Sequence, residues 1–584
     1  MQAGSPAYSS LLRSSPGGEA LTAFFASSRA HGHSLMNRIR ALAYFVLLAA
    51  LPALPQAPPA ADQAHIRAYI HNAWDTLSRS MYDCKSIVDP KVHQVPVLYL
   101  PADLPTPPAV ETMRTSCNVD VRHLPRIIQA IGEVRPSELP VEGLLYLPNR
   151  YVVPGGRFNE MYGWDSYFIL LGLEHDGRRD LAKGMVENFF FEIANYGAIL
   201  NANRTYYFTR SQPPFLSSMI REVYEHPAPG AQPDKQWLAR AYDYAERDYA
   251  LWISLEHRAG TTGLAHYEDL GEGPVPEQAD DSSYYPDVIR WLLAHPGDHP
   301  EYLVTGPANP TPAQAKQLAH TSCDVTVSHV CALAVVDGHR LSAAFYHSDR
   351  AMRESGFDPS FRFGPFSGST VEFADVGLNS LLYKYERDMA DFSTILGRKD
   401  EAVVWTRRAA TRRAAIDKYL WNQDAGLYTD YNFVTGKRST YHFLTTFYPL
   451  WAGASTLAQA AAVRSHLDLF EQAGGLQTSD VVSGVQWDAP YGWAPITWLA
   501  VSGLDRNGFH DDAARIARKF TATILDNFLR DGTIREKYNV ASGSANVKVA
   551  TGYKSNVVGF GWTNAVFLQL EDILAESAGT LTTR

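Results

Sequence analysis

Helical periodicity dominates this chain from residue 62 onward, and it limits the folds that the chain can adopt. In residues 401–420, apolar side chains recur at helical spacing on one face and arginines mostly occupy the other. Residues 513–530 show the same pattern, with Asp511 and Asp512 at the N-terminal end, where the helix dipole favours negative charge. Further helices are predicted at residues 66–80, 165–174, 181–196, 237–257, 375–396 and 456–469. Strand signals are few and short, so an all-α fold is predicted.

The pattern also indicates how many domains to expect. Strands and helices do not alternate as a parallel sheet requires, and neither a G-x-G-x-x-G string nor a Walker string is present. A length of 584 residues would ordinarily suggest several domains, but large toroids and barrels form single domains that are longer than this rule allows. We predict a single helical domain over residues 62–584. Because no repeat of fixed period is visible, periodicity alone does not define the architecture.

Charge narrows the class of partner. The net charge is −10 and the pI is near 6.0, which argues against a nucleic-acid partner. A neutral small molecule is compatible with this balance, because it needs no large field to guide it. The 31 tyrosines and 12 tryptophans are enough to line a deep cleft. We expect a monomer without a stable membrane span.

The N-terminal region has the layout of a secretory signal peptide. A basic stretch at residues 36–40 precedes an apolar run at residues 41–51, and small and proline-rich residues follow up to residue 61. The apolar run is shorter than the roughly 20 residues that a membrane-spanning helix needs. We therefore predict a signal peptide at residues 36–61 and a periplasmic or secreted protein, with residues 1–35 a mis-called start or a disordered tail. A membrane-anchored N-terminus is the alternative.

The cysteine content allows two interpretations. The four cysteines match no zinc-binding spacing. In an exported protein they could form two disulfides, and the short-loop pairing would be Cys84–Cys117 and Cys323–Cys331. Four free buried thiols remain the alternative.

Two segments combine tryptophan, aspartate and glycine in a way that suits sugar recognition. Residues 154–167 read PGGRFNEMYGWDSY, and residues 486–495 read QWDAPYGWAP. The apolar face of a sugar ring can lie on an aromatic side chain, while charged, planar groups bind its hydroxyls. These segments are the strongest functional signal in the chain.

Both segments resemble the signature motifs of the trehalase family, the glycosidases that split α,α-trehalose into two glucose molecules. The resemblance covers most of the chain after about residue 63. It implies an (α/α)6 toroid, a six-hairpin barrel of six inner and six outer helices, with the active site where long loops meet at its mouth. The phrases RFNEMYGWD and IREKY are closer to the neutral, fungal-type branch. The calcium-binding segment of that branch has no counterpart here, so we expect neither a metal nor a cofactor.

Glycoside hydrolysis needs two carboxyl groups, one to protonate the leaving oxygen and one opposite it. If the second activates a water, the two groups stand roughly 6.5–9.5 Å apart. Asp358, in the string RESGFDPSFR, and Glu536, in IREKY, resemble the catalytic residues of the family. The resemblance implies that Asp358 is the general acid and Glu536 the general base of an inverting reaction. The alternative for each is a surface salt-bridge residue.

The resemblance also implies a set of substrate-binding residues. These are Arg157, Phe158, Tyr162, Trp164, Asp165, Asn201, Arg210, Ser211, Gln212, Glu277, Gly356 and Trp487, and Trp493 is a further aromatic candidate. For the aromatic residues, packing in the core is an equally good explanation. Two departures from many bacterial trehalases affect the second glucose subsite and lid closure. Val275 stands where a third sugar-binding arginine is expected, and residues 545–558 lack the lid glutamate.

The leading hypothesis is an exported, inverting α,α-trehalase that acts by general acid and base catalysis in a single displacement. One alternative is another (α/α)6 carbohydrate enzyme, either a glucoamylase-like hydrolase or a disaccharide phosphorylase. The other is a non-catalytic sugar-binding relative. Retention of both Asp358 and Glu536 argues against the phosphorylase and the non-catalytic relative.

Overall fold

A computed structural model describes residues 59–88, 95–275, 283–297, 299–305 and 335–579. The helices in chain order are α1 (Ala60–Thr76), α2 (Cys84–Ile87), α3 (Pro108–Ser116), α4 (Gly163–His175), α5 (Arg179–Asn195), α6 (Leu216–Glu225), α7 (Lys235–Trp252), α8 (Tyr284–Ala294), α9 (Ala343–Glu354), α10 (Val376–Ile395), α11 (Lys399–Ala415), α12 (Tyr448–Ala452), α13 (Leu457–Arg464), α14 (Ala494–Arg506), α15 (His510–Asp531) and α16 (Gly561–Ser577).

The strands are β1 (Ser78–Arg79), β2 (Val97–Leu100), β3 (Asp120–His123), β4 (Leu144–Leu145), β5 (Tyr151–Val152), β6 (Leu303–Thr305), β7 (His339–Leu341), β8 (Phe373–Ala374), β9 (Trp421–Asn422), β10 (Leu427–Tyr428), β11 (Tyr431–Asn432), β12 (Lys437–Arg438), β13 (Glu471–Gln472), β14 (Gly475–Leu476), β15 (Tyr491–Trp493) and β16 (Lys537–Asn539). They form small sheets between the helices. In one of these sheets, β15 pairs antiparallel with β16, and Trp493 lies opposite Lys537.

Helices α4, α6, α10, α12, α14 and α16 form a closed inner ring. Each packs against the next in this order, and α16 packs back against α4. Outside them, α5, α7, α11 and α15 each follow an inner helix and pack on it, α13 follows α12, and α1 packs on α16. This is the (α/α)6 toroid, and the predicted all-α fold class is confirmed.

The inner helices are mostly buried, because the outer ring covers them and the ring centre encloses them. In α4, every residue from Gly163 to Leu173 is buried. The outer helix α15 instead has one apolar face, which includes Ile516, Phe520 and Ile524. It ends at Gly532, whose φ of 67° is the left-handed conformation that glycine adopts readily at a helix C-terminus. The helix predicted over residues 513–530 therefore lies within α15.

The structure joins Cys84 and Cys117 in a disulfide, with their Cα atoms 5.5 Å apart. Cys323 and Cys331 lie outside the described residues, as do residues 1–58, on which the signal-peptide prediction rests. In the part of the chain that the structure describes, none of the helices combines the length and apolar character that a membrane span needs.

Candidate active site

A cavity of about 250 Å³ lies where the inner ring meets the long loops. Three inner helices present tryptophans to it from their N-terminal ends. Trp164 is in the first turn of α4, Trp493 directly precedes α14, and Trp562 is in the first turn of α16. The cavity therefore lies at the end of the toroid where these three inner helices begin.

The structure brings most of the residues predicted from the sequence into this one cavity. Its lining includes Asp358, Glu536, Arg157, Phe158, Tyr162, Trp164, Asp165, Asn201, Arg210, Gln212, Gly356, Trp487 and Trp493. Ser211 is not among the lining residues, because its hydroxyl donates to the Ile199 carbonyl at 2.7 Å. Glu277 lies outside the described residues.

Asp358 reaches the cavity from the loop that follows α9. Gly356 in this loop has a φ of 77°, and a Cβ atom there would lie 2.8 Å from the Trp164 ring, so the loop requires glycine. The Asp358 side chain is 23% exposed, and its Oδ2 lies 3.4 Å from Nη1 of the buried Arg353. Arg353 is held in turn by Asp349, with Nη2 and Oδ1 3.2 Å apart. The loop thus presents a carboxyl group beside a fixed guanidinium.

Glu536 reaches the same cavity from the segment between Gly532 and β16. Its backbone N–H donates to the Val557 carbonyl at 3.0 Å, and its Oε2 accepts from Lys537 Nζ at 2.9 Å. Its side chain is 15% exposed. Asp358 and Glu536, distant in sequence, therefore share one partly open pocket.

Asp165 is a third carboxyl group in the cavity. Burial raises its pKa well above the usual range, and the nearby Glu536 and Asp358 carboxylates raise it further. This shift favours the neutral, protonated form of Asp165. A protonated carboxyl can donate a hydrogen bond as well as accept one, which suits contact with a sugar hydroxyl.

Aromatic side chains form one wall of the cavity. Trp487 stacks on Trp493 with ring centroids 3.8 Å apart and an interplanar angle of 8°. Trp164 lies against this pair, with its centroid 5.9 Å from that of Trp487, and Trp562 contacts Trp164 edge-on at 5.6 Å. Such a wall offers apolar surface to the C–H face of a sugar ring.

The two predicted arginines differ in environment. Arg210 is buried, with Nη1 3.6 Å from Asp269 Oδ2 and its guanidinium 4.9 Å from the centre of the Tyr207 ring. Arg157 is exposed after the Gly155–Gly156 turn, and its guanidinium lies 4.8 Å from the centre of the Phe158 ring. Arg210 is therefore a fixed part of the wall, whereas Arg157 stands at the rim.

Polar contacts hold other predicted residues in place. Gln212 Oε1 accepts from the backbone N–H of Trp164 at 2.9 Å, which ties it to the start of α4. Asn201 Nδ2 donates to the Ser211 carbonyl at 3.3 Å. The first bond connects α4 with the segment between α5 and α6, and the second lies within that segment.

Sequence reasoning missed several cavity residues. They are Glu142, Pro154, Glu160, Arg204, Tyr206, Tyr207, Arg353, Gln486, Tyr553, Ser555, Val557, Phe560 and Trp562. Arg353, Gln486 and Glu160 stand inside the strings that carried the resemblance, so their position in those strings was the available signal. Val275, at the position of the expected third arginine, is fully buried in the core and donates its N–H to the Tyr285 hydroxyl at 2.9 Å.

Comparison with known proteins identifies the family. The trehalase family model matches residues 58–295 and 314–574. The chain belongs to the trehalase family. It is 34% identical to a cytosolic neutral trehalase of Neurospora crassa, over 87% of this chain and 73% of that protein. It is also 34% identical to a probable trehalase of Eremothecium gossypii, over 86% and 71%.

A solved structure shows the same fold. The neutral trehalase of Saccharomyces cerevisiae superposes with a TM-score of 0.71 at 30% identity, covering 89% of this chain and 95% of that one. The resemblance inferred from the motifs, closer to the neutral branch, is therefore confirmed, and the chain is a glycoside hydrolase of the α,α-trehalase type.

The predicted location is wrong. Residues 36–61 indicated a periplasmic or secreted protein, but the trehalases of Neurospora crassa and Beauveria bassiana that the chain matches are cytosolic. The physical reason is that a basic stretch followed by a short apolar run is only a compositional signal. It does not by itself determine export.

Proposed function

We propose that this trehalase hydrolyses α,α-trehalose with inversion, with Asp358 as general acid and Glu536 as general base. The observation that carries the proposal is the convergence of these two carboxyl groups on one tryptophan-walled cavity. In a single displacement, Asp358 donates a proton to the glycosidic oxygen while Glu536 removes one from the attacking water.

The surroundings of Glu536 support its role as base. Lys537 Nζ donates a hydrogen bond to Glu536 Oε2 at 2.9 Å, and this bond fixes the orientation of the carboxylate. The carboxylate oxygen that is not bonded to Lys537 is the one that can accept a proton from water. A side chain that is 15% exposed leaves room for water to reach the carboxylate.

The cavity wall supports binding of glucose units. Trp164, Trp487 and Trp493 supply apolar surface, while Arg157 and Arg210 carry planar, fork-shaped donors that suit paired hydroxyls. Asp165, whose pKa is raised by burial and by the nearby Glu536 and Asp358, can donate to a further hydroxyl when it is protonated. Neutral hydrogen-bonding groups and arginines match a neutral, hydroxyl-rich disaccharide.

The variants Asp358→Asn and Glu536→Gln test the proposed roles. Each should lower kcat on trehalose by about 10²–10⁴-fold with an unchanged melting temperature. The substrate α-glucosyl fluoride separates the roles, because fluoride leaves without needing a proton. It should restore turnover to Asp358→Asn and not to Glu536→Gln. Near wild-type turnover of trehalose by either variant would refute the assignment.

A further inference from the structure

Gln486 is the first residue of the second signature segment, and its side chain lies between the two catalytic segments. The residue is 4% exposed and lines the cavity. Its Nε2 donates a hydrogen bond to the backbone carbonyl of Asp358, and its Oε1 accepts one from Lys537 Nζ at 2.9 Å. The Gln486 side-chain amide therefore contacts both the segment that carries Asp358 and the segment that carries Glu536.

The Lys537 ammonium is fixed by its contacts. Its side chain is fully buried, and burial of a cation is costly unless every N–H is matched by an acceptor. Its three N–H bonds have three acceptors: Gln486 Oε1, Glu536 Oε2 at 2.9 Å and the Ser555 carbonyl at 3.1 Å. The Trp493 ring centre, 4.9 Å from Nζ, adds a cation–π contact. The ammonium thus has a defined position relative to Glu536.

The orientation of the Gln486 amide follows from this ammonium. An ammonium group only donates, so the amide oxygen must face Lys537 and the amide nitrogen must face away from it. That nitrogen then meets the Asp358 carbonyl, which only accepts. Reversing the amide would place two donors together and two acceptors together. Lys537 therefore selects the orientation that holds Asp358.

The backbone reinforces the same connection. Trp487, next to Gln486, donates its N–H to the Pro359 carbonyl at 3.2 Å. On the other side, Trp493 pairs with Lys537 in the β15–β16 ladder. A continuous path of contacts runs from Glu536 through Lys537 and Gln486 to Asp358.

We propose that Gln486 is a positioning residue that, through Lys537, sets the separation and orientation of Glu536 relative to Asp358. The inference rests on the proposed roles of those two carboxyl groups. An inverting reaction needs a gap that fits one water between the base and the sugar, so small displacements of either group reduce the rate. Gln486 acts on kcat through geometry and makes no essential contact with sugar.

The first test compares Gln486→Met with Gln477→Met. Gln477 is a matched control, because it is also buried and its Nε2 donates to a backbone carbonyl, that of Leu469, at 3.1 Å. It does not line the cavity. Gln486→Met should lower kcat about 10- to 100-fold, because misplacement of catalytic groups by about 1 Å has effects of this size. KM should stay within about threefold of wild type, and Gln477→Met should leave kcat unchanged.

A double-mutant cycle tests the path through Lys537. If Gln486 acts through the ammonium, Gln486→Met should add little to the kcat loss of Lys537→Met. In the control cycle, the effects of Gln477→Met and Lys537→Met on kcat should be independent, so the double variant should have the kcat of Lys537→Met multiplied by the small factor for Gln477→Met. Trehalose binding to Glu536→Gln, measured by calorimetry with and without Gln486→Met, should give the same Kd.

The outcomes separate this inference from the proposed function. A rise in KM or Kd with unchanged kcat would make Gln486 a sugar contact and overturn the inference. Multiplicative kcat losses in the cycle, or an equal loss in Gln477→Met, would overturn it too. If Asp358→Asn and Glu536→Gln are inactive while Gln486→Met turns over normally, only the positioning role fails. If Glu536→Gln itself is active, the proposed function fails first.

Discussion

Arg204 Nε donates to Glu160 Oε1 at 2.6 Å, and both side chains are less than a tenth exposed, at 9% and 7%. The pair connects the first signature segment with the Asn201–Arg204 segment at the cavity wall. Replacing one partner removes the charge that balances the other inside the protein, and breaking a buried ion pair in this way typically costs about 3–5 kcal/mol.

Glu160→Gln should therefore lower the melting temperature clearly, measured by calorimetry. The control is Glu111→Gln, which removes the exposed pair with Arg114, in which the side chains are 52% and 50% exposed. Such surface pairs contribute about 0–1 kcal/mol. Equal melting temperatures for the two variants would contradict the buried, structural role of the Glu160–Arg204 pair.

The two arginines of the cavity should respond differently to substitution. Arg157→Ala should raise KM for trehalose about tenfold or more at an unchanged melting temperature, because this exposed side chain contributes binding and little packing. Arg210→Ala should raise KM and also lower the melting temperature, since it removes a buried cation beside Asp269. Kinetics and thermal melts on both variants check this. An Arg157→Ala variant with unchanged KM would remove Arg157 from the binding site.

A buried carboxyl group that does not line the cavity makes the stability of the protein depend on pH. Burial raises the pKa of Asp248, on α7, to about 7, and the Tyr385 hydroxyl donates to its Oδ2 at 3.0 Å. Between the unfolded pKa of about 3.9 and the folded pKa of about 7, Asp248 is protonated in the folded protein and ionised in the unfolded chain, so folding takes up a proton. The contribution of Asp248 therefore lowers the free energy of unfolding of the wild type progressively as pH rises from about 4 to about 7, by at most about 4 kcal/mol in total.

Asp248→Asn cannot ionise and should escape this loss. The melting temperature of the variant relative to wild type should rise between pH 4 and pH 8, and kcat should stay unchanged. Asp243→Asn, at an exposed position of the same helix with a 68% exposed side chain, serves as the control and should show no such trend. A pH-independent difference between Asp248→Asn and wild type would contradict the assigned cause.

The sequence predicted all the outer helices but, of the inner helices, only α4 and α10. The outer helices α11 and α15 were predicted, because one face meets solvent and leaves a 3.6-residue pattern. The inner helix α14 was not, since its residues from Ala494 to Leu504 are buried almost without exception and leave no pattern. The prediction of a toroid therefore came from the family resemblance and not from hydrophobic periodicity.

The site shows a similar division. Asp358 and Glu536 could be proposed from the strings around them. Gln486 and Lys537 could not be assigned, because their contacts depend on the packing of a loop against a strand pair distant in sequence. Ser211 lies in a matching string but directs its hydroxyl to the Ile199 carbonyl, which no motif reveals.

The most direct test of the central claim is proton NMR of the glucose released from trehalose, recorded before the anomers interconvert. Inversion by Glu536-activated water yields one β-glucose, while the leaving unit departs as α-glucose. The account predicts equal initial signals of the two anomers. Initial signals of α-glucose alone would mean retention and would contradict the roles assigned to Asp358 and Glu536.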